Sequence, residues 1–385
     1  MPNLEPPRIL FLFSDTGGGH RSAAEAVIEA INLEYGSQIR TEMVDIFKDY
    51  APRPLNRIPA WYPGMVRIPQ LWELGYRMSD GHRRARVITG SAWPYVRRAV
   101  RSLVQQHPSD LIVSLHALAN APVLRALKGA ARPPFVTIVT DLVSTHALWY
   151  HRQVDLCIVP TEEARQRALR FGLHREQVEV IGLPVADRFC TSPGSKSELR
   201  AKLGWQIDRL VVLVVGGGDG MGPLGQTARA IAAANLPVTL AVITGRNAAL
   251  KAELESINWN IPTFIYGFVR NMPELMNAAD VLVTKAGPGT ISEALNASLP
   301  MVLYSRLPGQ EDGNVAYLTD SGAGVWAPKP QQIVHALQNW IDNPAALQHA
   351  RATCKKIARP QAARQIARLL VETYLTSKIM PEKTL

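Results

Sequence analysis

Three glycine-rich turns, and the side chains around them, carry most of the chemistry available to this sequence. The first, Gly17-Gly18-Gly19-His20, separates an apolar run at 9–13 from a helix-forming run at 23–31. Glycines at such a junction leave backbone N–H groups and the positive end of a helix dipole facing a ligand. His20 adds an imidazole whose ordinary pKa of about 6.5 suits proton transfer near neutrality. The second turn, Gly216-Gly217-Gly218-Asp219-Gly220, follows the apolar run 210–215 and lets several N–H groups converge on one anion. It lacks the Lys-Ser/Thr of a P-loop. Arg246, just past the next apolar run, supplies a cation of the kind a diphosphate needs. The third turn, Lys285-Ala286-Gly287-Pro288-Gly289-Thr290, is the sharpest signal. It predicts a tight turn and a helix opening at Thr290 with Glu293 in its first turn, where a carboxylate either complements the dipole or grips the hydroxyls of a ribose. Gln310, Glu311 and Asn314 follow in a polar loop furnished to hydrogen-bond sugar hydroxyls.

Rival readings stand beside each of these. The dinucleotide fingerprint G-x-G-x-x-G finds Gly17 and Gly19 but meets Ser22 at its third glycine; Asp45 is available as the ribose acid, so an NAD-binding oxidoreductase stays open, as does a purely structural turn. Asp141, after the run 135–139, competes with His20 as a base, and the two together would make a relay. His146 and His151 are spaced by five residues and do not stack on one helix face, and no D-x-D cluster stands out, so no metal site is expected. His146 and Trp149 are read as lining an acceptor opening, against the alternative of a core tryptophan. Cys157, Cys190 and Cys354 form no C-x-x-C pair and are expected as reduced thiols.

The elements that must position these groups follow from the alternation of short β-rich runs with helical patterns, which predicts parallel sheets covered by helices. Strand candidates are 9–13, 39–44, 111–114, 135–139, 156–159 and 178–181, then 210–215, 239–243, 263–265, 281–283 and 301–303. The pattern breaks over 187–208. The organisation expected is a first domain at 1–186, a linker at 187–208, a second domain at 209–358, and a last helix within 359–385 that returns to the first domain. Two doubly wound domains of this kind would face each other across a cleft. No stretch is long and apolar enough to span a bilayer, and the first residues do not read as a signal peptide. A net charge of +10, with 19% charged residues, points to an anionic partner. Between residues 52 and 101, Trp61, Trp72 and other aromatics alternate with arginines, a pattern suited to the headgroup region of an anionic membrane or to an ordinary amphipathic helix pair. No nucleic-acid-binding motif accompanies the charge.

The segments DTGGGHRSAAEA, VTDLVSTHALWYH, VPTEEARQRAL, GGGDGMGP, ITGRN, VTKAGPGTISEAL and PGQEDGNVAYL occur in one order from about residue 8 to 327. Together they resemble the monogalactosyldiacylglycerol synthases, within the family 28 glycosyltransferases of GT-B fold that include diacylglycerol glucosyltransferases and the peptidoglycan N-acetylglucosaminyltransferase. The resemblance implies two Rossmann-like domains, a UDP-sugar donor held mainly by the second, and a diacylglycerol acceptor held mainly by the first. It places Gly216, Gly217, Gly218 and the turn with Gly287, Gly289 and Thr290 on the diphosphate, Phe268 beside the uracil, Glu293 on the ribose, and Gln310, Glu311 and Asn314 on the sugar. Gly18, Gly19 and His20 fall on the acceptor side, with His20 as general base or sugar-site residue. The activity implied is inverting transfer of galactose from UDP-galactose to diacylglycerol at the cytoplasmic face of a membrane, with no cofactor required; a UDP-glucose-dependent glycolipid synthase is the near alternative. The sequence departs from the expected pattern at Ala147, Leu148 and Ala316, which bears on acceptor detail.

Overall fold

A computed structural model describes residues 5–16, 19–66, 68–128, 132–220 and 222–379. The chain divides into two compact units. The first comprises Met1–Asp187, Leu307–Gln310 and Gln361–Leu385, and the second Arg188–Arg306 and Glu311–Pro360.

The first unit is built on strands β1 (Arg8–Phe13), β2 (Arg40–Asp45), β3 (Leu111–Ser114), β4 (Phe135–Ile138), β5 (Leu156–Val159) and β6 (Val178–Val180). They pair in parallel in the order β2-β1-β3-β4-β5-β6. A parallel strand covered on both faces must be apolar at every position, and β1 reads Ile-Leu-Phe-Leu-Phe over 9–13. Its side chains alternate: Ile9 and Phe11 pack with helix α1 (Gly19–Tyr35), while Leu10 and Leu12 join the core on the opposite face. Helices α2 (Ile58–Met65) and α3 (Pro69–Ser79) come next in the chain, and that second core is closed by α4 (His82–Gln106), α5 (Ala117–Ala126) and α6 (Glu162–Arg170), with Leu103 of α4, Val123 and Leu124 of α5 and Ala164 and Ala168 of α6 buried in it.

The second unit repeats the scheme. Helix α7 (Lys196–Leu203) precedes β7 (Leu210–Val215), then α8 (Leu224–Ala233), β8 (Val238–Ile243), α9 (Ala248–Glu255), β9 (Thr263–Tyr266), α10 (Met272–Ala278), β10 (Val281–Lys285), α11 (Pro288–Asn296), β11 (Met301–Ser305), α12 (Asp312–Ser321), β12 (Gly324–Trp326), α13 (Pro330–Asp342) and α14 (Pro344–Ile357). The strand order is β12-β11-β10-β7-β8-β9, all parallel. Strand β12, three residues long, carries too short an apolar run to stand out in the sequence.

The stretch 187–208 is not a free linker. Its helix α7 packs into the second unit, where Arg200 is buried and its guanidinium pairs with Asp280, which Lys196 (2.8 Å) and Arg351 (3.1 Å) also reach. Burial would raise the pKa of this carboxylate, but Lys196, the Val211 N–H and Arg200 together hold it below the usual range. Helix α15 (Ala362–Tyr374) belongs to the first unit and lies against α1, burying Ala363, Ile366, Ala367, Leu370 and Val371 with Ala23, Val27 and Ile31. Among the described residues no helix is long and apolar enough to cross a membrane.

Candidate active site

In each sheet the strand order reverses at one point, and there the loops beyond two neighbouring strands diverge to opposite faces and leave a crevice at their carboxyl ends. In the first unit this point lies between β1 and β3, so the loop carrying His20 meets the loop carrying His116. In the second it lies between β7 and β10, so Gly216–Gly220 meets the turn 286–290. Each glycine-rich motif of the sequence thus sits at a switch point.

His20 rides in the first turn of α1. Its Nδ1 lies 2.7 Å from Thr140 Oγ1, just past β4, and its ring stands edge-on to His116 at 4.8 Å and tilted to Trp149 at 6.0 Å. Burial pushes its pKa down to about 4, against the Leu115 carbonyl, which favours the protonated ring. His116 caps α5: its Nδ1 accepts the Leu118 N–H at 3.3 Å, so in the neutral ring Nε2 carries the hydrogen and donates to Thr16 Oγ1 at 3.1 Å. That bond fastens Thr16, which precedes the glycine run in the sequence. Gly18, assigned to the acceptor side, lies outside the described residues; Gly19 is exposed at the start of α1.

Asp45 is no ribose acid. It is buried, and its carboxylate accepts from the backbone N–H groups of Phe47, Lys48 and Asp15, which leaves the dinucleotide reading without its acid. Asp141 is likewise buried, with Oδ2 accepting from Trp149 Nε1 at 2.7 Å and Oδ1 from Gln310 Nε2 at 2.9 Å. Trp149 and His146 do not line an opening. The indole is fully buried in the core behind Asp141, and His146 is a buried cap whose Nδ1 accepts the Leu148 N–H and whose Nε2 lies 3.1 Å from Ser79 Oγ. An indole loses most by exposure and needs only one partner for its N–H, which Asp141 supplies. On the outer helices Trp61 is largely exposed, while Trp72 is half-buried edge-on against Tyr62 at 5.6 Å.

In the second unit, a Cβ at Gly220 would stand 2.0 Å from the Thr244 carbonyl oxygen, so the turns after β7 and β8 press backbone on backbone and no other residue fits. The Arg246 N–H donates to Gly218 O at 2.9 Å. The Arg246 guanidinium reaches Asp219 at 2.8 Å and covers the ring of Phe268 at 5.0 Å, whose exposure of 56% leaves a face for a ligand. Lys285, which the sequence reading passed over as part of its motif, extends its ammonium beside Gly217 and Gly287 and 3.3 Å from Glu311 Oε1. A lysine closing a strand between two glycine turns was the available signal. No side chain caps α11 at Gly287, and the space over Gly289 is open.

The helix starts at Pro288 rather than Thr290, because proline is preorganised for the first helical position, and so Glu293 falls in the second turn. Burial raises its pKa to about 7, opposed by Arg188. Glu311 is buried against Lys285, and Asn314 is buried with its amide donating to Ala286 O at 2.9 Å. Both thereby brace the 286–290 turn, and Asn314 Oδ1 is buried with no hydrogen-bond partner among the described residues. Gln310 belongs with Asp141 in the first unit. Among the described residues no group of three or more His, Cys, Asp or Glu is clustered to hold a metal.

Residues 20–185 match the family model for monogalactosyldiacylglycerol synthase, and 211–370 match the glycosyltransferase family 28 C-terminal domain. A probable chloroplastic monogalactosyldiacylglycerol synthase of Glycine max is 37% identical over 98% of this chain and 73% of its own length. The chain belongs to the monogalactosyldiacylglycerol synthase family. The Spinacia oleracea synthase is 38% identical over 95% of the chain and 72% of its own, and synthase 1 of Arabidopsis thaliana 34% over 98% and 73%. Among solved structures, Acinetobacter baumannii MurG superimposes with a TM-score of 0.61 at 15% identity, covering 95% of this chain and 100% of its own. S. aureus MnaA, determined with UDP, gives 0.64 at 14%, covering 98% of each. The fold of this glycosyltransferase is GT-B, two doubly wound α/β units.

Proposed function

We propose that this synthase-family enzyme transfers galactose from UDP-galactose to the free hydroxyl of 1,2-diacylglycerol with inversion at the sugar carbon. The observation that carries the reading is His20: a histidine neutral throughout the physiological range, at a sheet's switch point, whose Nδ1 is engaged by Thr140. With the hydrogen on Nδ1 donated to Thr140, Nε2 presents its lone pair to the acceptor hydroxyl and takes its proton as the oxygen attacks. The leaving diphosphate needs positive charge, which Lys285, Arg246 and the uncapped N–H groups at Gly289 and Thr290 would supply, with Gly216–Gly218 lying alongside and no metal or cofactor called for. Phe268 would flank the uracil and Glu293 the ribose.

The acceptor is a lipid, and α2–α4 suit its delivery. Trp61, Met65, Leu71, Leu74, Met78 and Val87 are exposed on these helices among exposed arginines, an arrangement that favours docking on the surface of a membrane rich in anionic lipid. The decisive experiment incubates the enzyme with diacylglycerol vesicles and radiolabelled UDP-galactose or UDP-glucose and identifies the lipid formed. A galactolipid is expected. A glucolipid made in its place would reassign the donor, and no labelled lipid would refute the proposal. His20→Ala should lower kcat about 10²–10⁴-fold with donor binding retained; near-normal turnover would remove His20 as the base.

A further inference from the structure

The loop Leu307–Gln310 joins the first compact unit although the strand before it and the helix after it belong to the second. Two contacts hold it there. Gly309 adopts a φ of +83°, and a Cβ at that position would meet the Tyr76 ring at 3.0 Å, so the backbone of the loop lies directly on the tyrosine. Tyr76 is itself fixed, its hydroxyl donating to Ser144 O at 2.6 Å, and the end of α3 is tied to the same segment by Asp80, which accepts from the Ala147 N–H at 2.9 Å and from Arg167 at 2.8 Å. The second contact is polar: Gln310 Nε2 donates to Asp141 Oδ1.

The chemistry of the Asp141 contact is one-sided. A carboxylate offers only acceptors, so the amide of Gln310 must turn its NH2 group to Asp141 and present its carbonyl Oε1 away from it. Asp141 cannot rotate to relax this, because Oδ2 is held by the Trp149 indole at 2.7 Å and the indole is locked in the core. An amide free to flip would offer either a donor or an acceptor to a ligand hydroxyl; the amide of Gln310 offers an acceptor only.

We propose that Asp141 is a positioning residue for donor discrimination: by fixing the orientation of the Gln310 amide it makes Gln310 Oε1 an obligatory acceptor for one hydroxyl of the transferred hexose. The inference rests on the UDP-hexose transfer proposed above and goes beyond it, since it removes Asp141 from the proton-transfer step and gives it the choice of sugar. Hexoses that differ in the direction of one hydroxyl are then separated by whether that hydroxyl's hydrogen meets Oε1. A site built to receive a hydroxyl discriminates strongly because the mismatched sugar leaves the buried partner unpaired.

The test compares kcat and KM for UDP-galactose and UDP-glucose, with diacylglycerol vesicles, in the wild-type enzyme, Asp141→Asn and Gln310→Met. Asparagine keeps the size, but its one oxygen must accept the Trp149 N–H, so its NH2 donates to Gln310 Oε1 and turns that amide to present NH2 in place of an acceptor; the preference between donors should fall about tenfold or more, with donor KM rising more than kcat falls. Gln310→Met, which leaves the buried Asp141–Trp149 pair intact, should lose the same preference and guards against misfolding of the first variant. The inference is overturned if either folded variant keeps the wild-type donor ratio, including the case in which kcat drops equally for both donors, as removal of a general base would produce. A wild-type enzyme that forms no glycolipid from either donor would instead refute the proposed activity, so the two failures are told apart.

Discussion

Glu293 has a carboxyl whose surroundings set when it can act. Burial raises its pKa from 4.5 to about 7, so near neutrality protonated and ionised forms coexist. In the proposed role, ribose hydroxyls would donate to the ionised form. UDP affinity should therefore rise with pH through about 7 and level off above it, falling towards tenfold per pH unit on the acid side. The ligand-free fold runs the other way: between the unfolded pKa and about 7 the folded state holds more protons at this site, so the contribution of Glu293 to stability diminishes as pH rises. Calorimetric titration of UDP at pH 6, 7 and 8 against wild type and Glu293→Gln checks this, because UDP's own phosphate titrates in both proteins. An identical pH slope in the two would sink the ribose role. At this scale the sequence disclosed residue types but not partners. His20 and Glu293 stood out by their glycine turns. Thr140, which engages His20 from 120 positions away, and His116, which pins Thr16 from 100, come together only through the strand order. The same holds for Asp141, whose type suggested a base and whose contact with Gln310, 169 positions away, no sequence pattern announces.

Elements were legible wherever an apolar run was long enough to have a period. The central strands could be read almost residue by residue, whereas β12, with three residues, could not, and the proline that opens α11 moved Glu293 back by a turn. Helices α2–α4 were legible as unusual without being resolved in role, since aromatic and arginine residues suit both a core-covering helix and a membrane surface. The structure separates the two faces. Leu103 of α4 is in the core, while Leu71, Leu74 and Met78, three and four positions apart on α3, are 63%, 55% and 65% exposed. An apolar stripe left in water costs free energy that insertion below lipid headgroups recovers. Paired replacement Leu71→Ser, Leu74→Ser should thus reduce the fraction co-sedimenting with vesicles of acidic lipid several-fold at low salt while leaving UDP binding in solution unchanged. Equal sedimentation of variant and wild type would show that this stripe does not meet the bilayer.

The whole molecule shows how far alternation of strand and helix patterns can carry a reading. It foretold two doubly wound units because each parallel strand must be apolar throughout and each crossover must be helical, constraints that are written locally. Which segment belongs to which unit is settled by long-range packing: α7 joins the second unit through the buried Arg200–Asp280 pair, and Leu307–Gln310 and α15 join the first. The last of these carries a test. Ile366, Leu370, Val371 and Leu375 are buried in the first unit, each contributing about 1.5–3 kcal/mol, together of the order of the 5–15 kcal/mol by which a domain is ordinarily stable. Ending the chain after Pro360 should therefore uncover Val27 and Ile31 on α1 and unfold the first unit. The residues proposed to hold UDP lie in the second unit, whose core contains none of α15. The truncated chain should accordingly lose lipid glycosylation and the near-ultraviolet signal of Trp149 yet still be stabilised against heat by UDP. Loss of that stabilisation along with activity would mean that the second unit does not hold its nucleotide site without the final helix.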